Sequence, residues 1–125
     1  MTRLFFAFAA LSGFVAVALG AFGAHGLKPR LSPSMMSAFE TAVQYQFYHT
    51  LAILGLALLM ERLGEKPLLL TAGYFFMGGI VLFSGSLYLL ALGGPRWLGP
   101  ITPLGGVTFL LAWSSLFIAF LRSRF

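Results

Sequence analysis

The sequence predicts an all-α integral membrane protein in which four transmembrane helices form a bundle. The first observation is composition, because 59% of the 125 residues are hydrophobic and only 9% are charged. A soluble domain carries about 25% charged residues, so this chain has too few to cover a surface that faces water. The second observation is that four long apolar segments follow one another with short polar connections between them.

These segments predict helices over about residues 4–24, 33–60, 68–92 and 103–121. A spanning helix needs about 20 mostly apolar residues. The second segment is strongly apolar only from Tyr45 to Met60, so its helix is expected to begin earlier, near Pro33. The chain before Tyr45 is then either an interfacial amphipathic helix or the exposed first turns of the second helix. Because little sequence remains for loops, residues 1–125 are expected to form a single transmembrane domain.

Prolines and glycines mark the predicted helix ends. Proline is favoured at the first helical position, where its missing N–H costs nothing, and Pro33, Pro67 and Pro103 fit that position. Ser32 and Thr102 precede two of these prolines and are expected to act as N-caps. Glycine is favoured just after a helix, and the candidates there are Gly26, Gly64 and Gly93.

The basic residues predict how the chain is oriented. Cytoplasmic connections carry an excess of Lys and Arg, and the two sides of this bundle differ in those residues. The side of the chain termini carries Arg3, Arg62, Lys66, Arg122 and Arg124, and the other side carries Lys28, Arg30 and Arg96. We therefore expect both termini in the cytoplasm and a multi-pass location in the inner (plasma) membrane.

Composition and motifs exclude several classes of function. The net charge of +5 comes from basic residues placed singly at the ends of apolar runs, which indicates contact with membrane lipids and not nucleic-acid binding. The absence of cysteine excludes disulfides, thiolate metal sites and cysteine nucleophiles. The absence of Asp excludes a Ser/His/Asp set, and there is no glycine-rich phosphate loop. The sequence favours a protein that is not an enzyme, and it does not identify a cofactor.

Small residues recur at helical spacing and predict close helix packing, because helices in lipid associate through close backbone approach. The first helix carries Ser12, Ala16, Gly20 and Ala24, the third carries Gly78 and Gly85, and the fourth carries Thr108, Ala112, Ser115 and Ala119. We interpret these faces chiefly as packing within one bundle. Part of such a face is an alternative surface for a homo-oligomer.

Polar side chains at membrane depth are costly and therefore point to function. Gln46 and His49 share a face of the second helix, and Ser84 and Tyr88 share a face of the third. The predicted topology places them, with polar residues at neighbouring helix ends, in the outer half of the bilayer. The predicted binding residues of this polar pocket are His25, Glu40, Gln46, His49, Ser84, Ser86, Tyr88 and Thr102.

Three functional hypotheses are open at this point. The pocket serves as a binding or assembly module for a lipid headgroup, a quinone-like molecule or a partner helix. Alternatively, His25 and His49, with Glu40 on the same side, hold a metal ion or a haem, which would allow redox chemistry. The third hypothesis is an oligomeric scaffold in which these residues only pack. The aromatic residues Tyr45, Tyr48, Trp97 and Trp113 are interpreted as interface anchors.

Four motifs, taken in order, carry a resemblance to a known family. They are GAFGAHGL at residues 20–27, FETAVQYQFYH at 39–49, FSGSLY at 83–88 and ITPLGG at 101–106. They resemble the small membrane protein family of unknown function typified by bacterial YgdD and YwdK, with a eukaryotic branch called transmembrane protein 256. The resemblance implies a membrane protein with about four helices and brings no biochemical activity. Its motif positions correspond to His25, Gln46, His49, Ser84, Ser86, Tyr88, Thr102 and Pro103.

Overall fold

The computed structural model describes residues 1–123, which form four long helices joined by short turns. They are α1 (Thr2–Leu27), α2 (Pro33–Leu63), α3 (Pro67–Ala91) and α4 (Ile101–Arg122), with a 3-10 turn at Arg96–Leu98 before α4. Each helix is long and apolar enough to cross a membrane, and the described chain contains no strand. The predicted all-α bundle of four membrane helices is confirmed. Arg124, which the orientation prediction counts, lies outside the described residues.

The second helix runs without interruption from Pro33 to Leu63. The side chain of Ser32 accepts a hydrogen bond from the backbone N–H of Met35 at 3.2 Å, which is the expected N-cap contact. The polar chain before Tyr45 therefore forms the first turns of α2 and not a separate interfacial helix. At the other end Gly64 takes a φ of 87°, which glycine adopts without the steric cost that a Cβ imposes.

The start of α4 differs from the sequence prediction. The helix begins at Ile101 after Pro100, without a side-chain cap, so Pro103 is its third residue. The hydroxyl of Thr102 forms a hydrogen bond with the hydroxyl of Ser86 on α3. The predicted N-cap role of Thr102 is wrong, because its hydroxyl has a partner on the neighbouring helix. Gly26 likewise lies inside the last turn of α1 and not beyond its end.

The helices pack in chain order, with α1 on α2, α2 on α3 and α3 on α4. Near the chain termini the interior is apolar, and Phe5 of α1 reaches across to Tyr74 of α3 at 5.4 Å between ring centroids. Within the described residues the backbones of α2 and α4 make few close contacts. Aromatic side chains lie between these two helices, and it is here that the candidate site lies.

Three glycines allow the closest helix approaches. A Cβ on Gly73 would collide with the ring of Phe5, and one on Gly79 would collide with the ring of Phe109. A Cβ on Gly105 would collide with the backbone of Phe83. The glycines singled out from sequence, Gly78 and Gly85, are not among them: a Cβ on Gly78 would meet a methyl of Thr108 at 3.8 Å, and one on Gly85 would meet nothing within 4 Å.

Candidate functional site

Gln46 is the centre of a hydrogen-bonded network that joins three helices. Its Oε1 accepts a hydrogen bond from the Tyr88 hydroxyl at 2.6 Å. Its Nε2 donates to the carbonyl oxygen of Ser12 at 3.0 Å and to the Ser12 hydroxyl at 3.1 Å. The Ser12 hydroxyl is also 2.7 Å from the hydroxyl of Thr50. Gln46, Ser12 and Thr50 are all buried, so this network satisfies polar groups in a part of the bundle where water has no access.

Two serines attach α3 to its neighbours. The hydroxyl of Ser84 donates to the carbonyl oxygen of Ala42 on α2 at 2.8 Å. Ser84 ends a π-helical turn, Ile80–Ser84, a wide turn that is frequent at functional sites. The hydroxyl of Ser86 donates to the carbonyl oxygen of Phe83 at 3.0 Å and contacts the hydroxyl of Thr102 on α4. Each serine therefore fixes α3 against a different helix.

His49 connects α2 to α4. Its Nδ1 is 2.7 Å from the carbonyl oxygen of Tyr45, and its Nε2 accepts a hydrogen bond from Trp113 Nε1 at 3.2 Å. Because a carbonyl only accepts and an indole N–H only donates, both bonds require a neutral imidazole that carries its proton on Nδ1. The imidazole also stacks on Phe109, with ring centroids 3.6 Å apart and an interplanar angle of 8°.

The His49–Trp113 pair lines a groove of about 500 Å³ that opens sideways between α2 and α4. Trp113 is 47% exposed and His49 only 5% exposed, so the pair connects the interior of the bundle with the groove. Both residues lie near the middle of their helices. The lining residues are Tyr45, His49, Phe83, Pro103, Gly106, Val107, Phe109, Leu110 and Trp113.

The predicted binding residues form several separate contacts and not one pocket. Gln46 meets Tyr88, Ser86 meets Thr102, Ser84 bonds a backbone carbonyl, and His49 meets Trp113. His25 in the last turn of α1 and Glu40 on α2 are exposed. Glu40 borders a shallow cavity of about 180 Å³. The side chains of His25 and Glu40 have no hydrogen bond or ion pair with any other described residue.

The two histidines do not share a set of donor atoms. Both ring nitrogens of His49 are already hydrogen-bonded, and His25 is exposed at the end of α1. Across the described chain, no group of three or more His, Cys, Asp or Glu side chains is placed to hold a metal ion. The metal or haem role of His25 and His49 stays a prediction, and the arrangement of the donor atoms adds no support to it.

Sequence reasoning missed three residues of these contacts: Ser12, Thr50 and Trp113. Ser12 is predicted only as a small packing residue, and Trp113 only as an interface aromatic. Counting along the helix provides a signal for Trp113. It follows Pro103 by about ten residues, which at about 1.5 Å per residue places it near the centre of the bilayer and not at its surface. No comparable signal marks Thr50, whose partner lies on another helix.

This fold and its buried contacts define a small integral membrane protein whose four helices are joined by hydrogen bonds inside the bundle. Residues 19–106 match the family model described as "Protein of unknown function (DUF423)". The chain belongs to this family, and the matched residues include all four motifs on which the resemblance was based.

Curated relatives cover nearly the whole chain. The UPF0382 inner membrane protein YgdD of Escherichia coli (strain K12) is 46% identical over 123 residues, which are 98% of this chain and 93% of that protein. The UPF0382 membrane protein YwdK of Bacillus subtilis (strain 168) is 42% identical over 117 residues, 94% and 95% of the two chains. No solved structure matches the chain. The family prediction is confirmed, and the name of the E. coli relative supports an inner-membrane location.

Proposed function

We propose that the protein is a membrane-embedded binding module that takes a planar, membrane-soluble molecule of the quinone class into the groove between α2 and α4. The observation that carries the proposal is the hydrogen bond of 3.2 Å from Trp113 Nε1 to His49 Nε2 at the wall of this groove. Polar groups at membrane depth are rare and usually have a role in function.

The His49–Trp113 pair supplies one acceptor and one donor. With the groove empty, the two groups satisfy each other, so neither pays the cost of an unpaired polar group in an apolar medium. Rotation of the half-exposed Trp113 side chain would break this hydrogen bond and leave both Trp113 Nε1 and His49 Nε2 available to a ligand. A ligand hydroxyl then donates to His49 Nε2, and a ligand hydroxyl or carbonyl oxygen accepts from Trp113 Nε1. A quinol carries hydroxyls that serve both groups, whereas the oxidised quinone carries only carbonyls and accepts from Trp113 alone.

The walls of the groove suit a flat ring. Tyr45 and Phe83 stack at 4.6 Å between centroids with an interplanar angle of 29°, and Phe109 continues the aromatic surface beside His49. Aromatic faces favour offset stacking with another planar ring. The volume of about 500 Å³ lies within the range of about 300–1,000 Å³ that is usual for small-molecule sites. The opening between α2 and α4 gives access from the lipid.

The experiment uses Trp113 as a built-in reporter. The chain has two tryptophans, so Trp97→Phe leaves Trp113 as the only one. Titration of this variant in detergent with a decyl-substituted benzoquinone is expected to quench the fluorescence to saturation, and the corresponding quinol is expected to compete for the same groove. Adding His49→Phe keeps a ring stacked on Phe109 and removes the acceptor nitrogen, and it should weaken binding of the quinol, measured by this competition, about tenfold. Tyr48→Phe, one residue away on an exposed side chain, is the matched control and should change nothing.

Quenching that rises linearly with quinone, or competition by the quinol that is identical in the His49→Phe variant, would contradict the proposal. Occupation of the groove by a partner helix has its own signature. Because the chain has no cysteine, Val107→Cys places a single thiol on the groove, and Leu121→Cys places one near the far end of α4. Disulfide-linked dimers formed in the membrane by the first variant alone would assign the groove to a second copy of the chain.

A further inference from the structure

A second cavity, of about 520 Å³, lies between the start of α3 and the end of α4 on the side of the chain termini. Two cations, Lys66 and Arg122, line one part of it, and both are exposed. Leu69 and Ala119 line another part and are buried, at 2% and 6% exposure. The cavity thus combines a charged region at the end of the helices with an apolar region that continues into the bundle.

The two cations of this cavity have no acidic partner in residues 1–123. The ion pair in that part of the chain joins Glu65 to the amino group of Met1 at 3.0 Å. Glu61, the other acid on this side, does not line the cavity. Within residues 1–123, Lys66 and Arg122 therefore present two positive charges without an acidic partner beside an apolar wall, at the ends of two membrane-spanning helices.

We propose that this cavity binds the headgroup of an anionic phospholipid from the leaflet on the side of the chain termini. Arg122 offers the planar pair of N–H donors that fits two phosphate oxygens, and Lys66 adds a point charge. Basic pockets between transmembrane helices are known to take phosphate-bearing lipid headgroups. The first methylene groups of the lipid lie against Leu69 and Ala119. A free phosphate ion matches the charges and leaves this apolar wall uncovered.

The site is separate from the groove of the proposed quinone function. It lies at the helix ends near the chain termini, whereas the groove lies near the middle of α2 and α4. It also uses charge, whereas the groove offers neutral hydrogen-bonding groups. Failure of one proposal leaves the other unaffected.

Native mass spectrometry of the purified full chain tests the lipid site with phosphatidylglycerol and phosphatidylethanolamine as probes. The wild-type protein is expected to retain phosphatidylglycerol in preference. Lys66→Gln and Arg122→Gln should each weaken that binding about fivefold, and the double variant about twentyfold or more. The matched control, Lys28→Gln with Arg96→Gln, removes the same charge on the opposite side and should leave binding unchanged.

A second pair of substitutions separates charge from structural damage. Lys66→Arg with Arg122→Lys conserves both charges and should keep most of the phosphatidylglycerol affinity. Three results would each overturn the proposal: full binding by the Gln double variant, an equal loss in the control variant, or no preference between the two lipids. Displacement of the lipid by millimolar inorganic phosphate would instead assign the cavity to a free anion and would also overturn it.

Discussion

The hydroxyl of Tyr88 donates a hydrogen bond to Gln46 Oε1 across 2.6 Å, and the same amide donates on its other side to Ser12. One side chain on α2 thus joins α3 to α1. The hydrocarbon core of a bilayer offers no water to pair with polar groups, so those buried in the bundle find their partners within the protein. Among the described residues, no buried side-chain nitrogen or oxygen lacks a partner. The amide therefore fixes how the three helices are rotated relative to one another.

The first prediction concerns this amide. Tyr88→Phe leaves the Gln46 oxygen unpaired and is expected to lower the free energy of unfolding by about 1–2 kcal/mol. Gln46→Leu breaks the same bond from the other side. Because the two substitutions remove one shared interaction, the double variant should lose less than the sum of the single losses. Titration of unfolding in detergent measures each variant, with Tyr48→Phe as the control. Strict additivity would show that the contact contributes nothing.

The second prediction compares two neighbouring glycines at the start of α4. A Cβ on Gly105 would collide with the backbone of Phe83, which cannot move aside as a side chain can, whereas a Cβ on Gly106 meets nothing within 4 Å. Gly105→Ala should therefore push α4 away from α3 and cost about 1–3 kcal/mol. Gly106→Ala should be neutral or slightly stabilising, because alanine has the higher helix propensity. Thermal unfolding in the same detergent measures both, and equal midpoints would refute the close approach.

The helices were predictable from sequence because their signals are local. A run of about 20 apolar residues has few alternatives to a membrane helix, and Pro33 and Pro67 occupy the first helical positions as expected. The polar cap of Ser32 follows from the same local chemistry. These features depend only on neighbours in the chain, so one sequence is sufficient to recognise them.

The partners of the polar residues were not predictable because they depend on helix rotation. The π-helical turn at Ala18–Gly23 shows why. A π-helical turn contains more residues than an α-helical turn, so side chains after it point in a different direction from those before it. Small residues at every fourth position across such a turn therefore do not all face the interior. Ser12 and Ala16 before the turn are buried, whereas Gly20 and Ala24 within and after it are partly exposed. The same limit applies to His49 and Trp113, which meet from helices that are not adjacent in the chain.

The third prediction concerns acid stability at the turn between α2 and α3. The carboxylate of Glu65 accepts hydrogen bonds from the Thr2 backbone N–H at 2.8 Å and the Thr2 hydroxyl at 2.9 Å, and it pairs with the Met1 amino group. These contacts lower the pKa of Glu65 from 4.5 to about 2. The hydrogen bond from the Thr2 backbone N–H has the largest effect, followed by the Met1 amino group and the Thr2 hydroxyl. Because the folded pKa lies below the unfolded one, the contact stabilises the protein above pH 4.5.

This stabilisation should disappear as the pH falls through the folded pKa of about 2. Glu65→Gln is therefore expected to unfold at a lower temperature than wild type at pH 7, and the two midpoints should converge as the pH approaches 2. Glu61→Gln, four residues earlier on an exposed position, is the control and should follow the wild-type curve. A difference between Glu65→Gln and wild type that stays constant from neutral to acid pH would contradict the assigned role of the carboxylate.

The fourth prediction concerns orientation, which the excess of Lys and Arg on the side of the termini predicts to be cytoplasmic for both ends. The cysteine-free chain allows a direct test, since Ser34→Cys and Glu61→Cys place single thiols at opposite ends of the same helix, α2. In intact spheroplasts a membrane-impermeant maleimide should label the first variant. The second should react only after the membrane is permeabilised. The reverse pattern would invert the topology and move the proposed phospholipid site to the outer leaflet, while the hydrogen bonds around Gln46 and His49 would remain as they are.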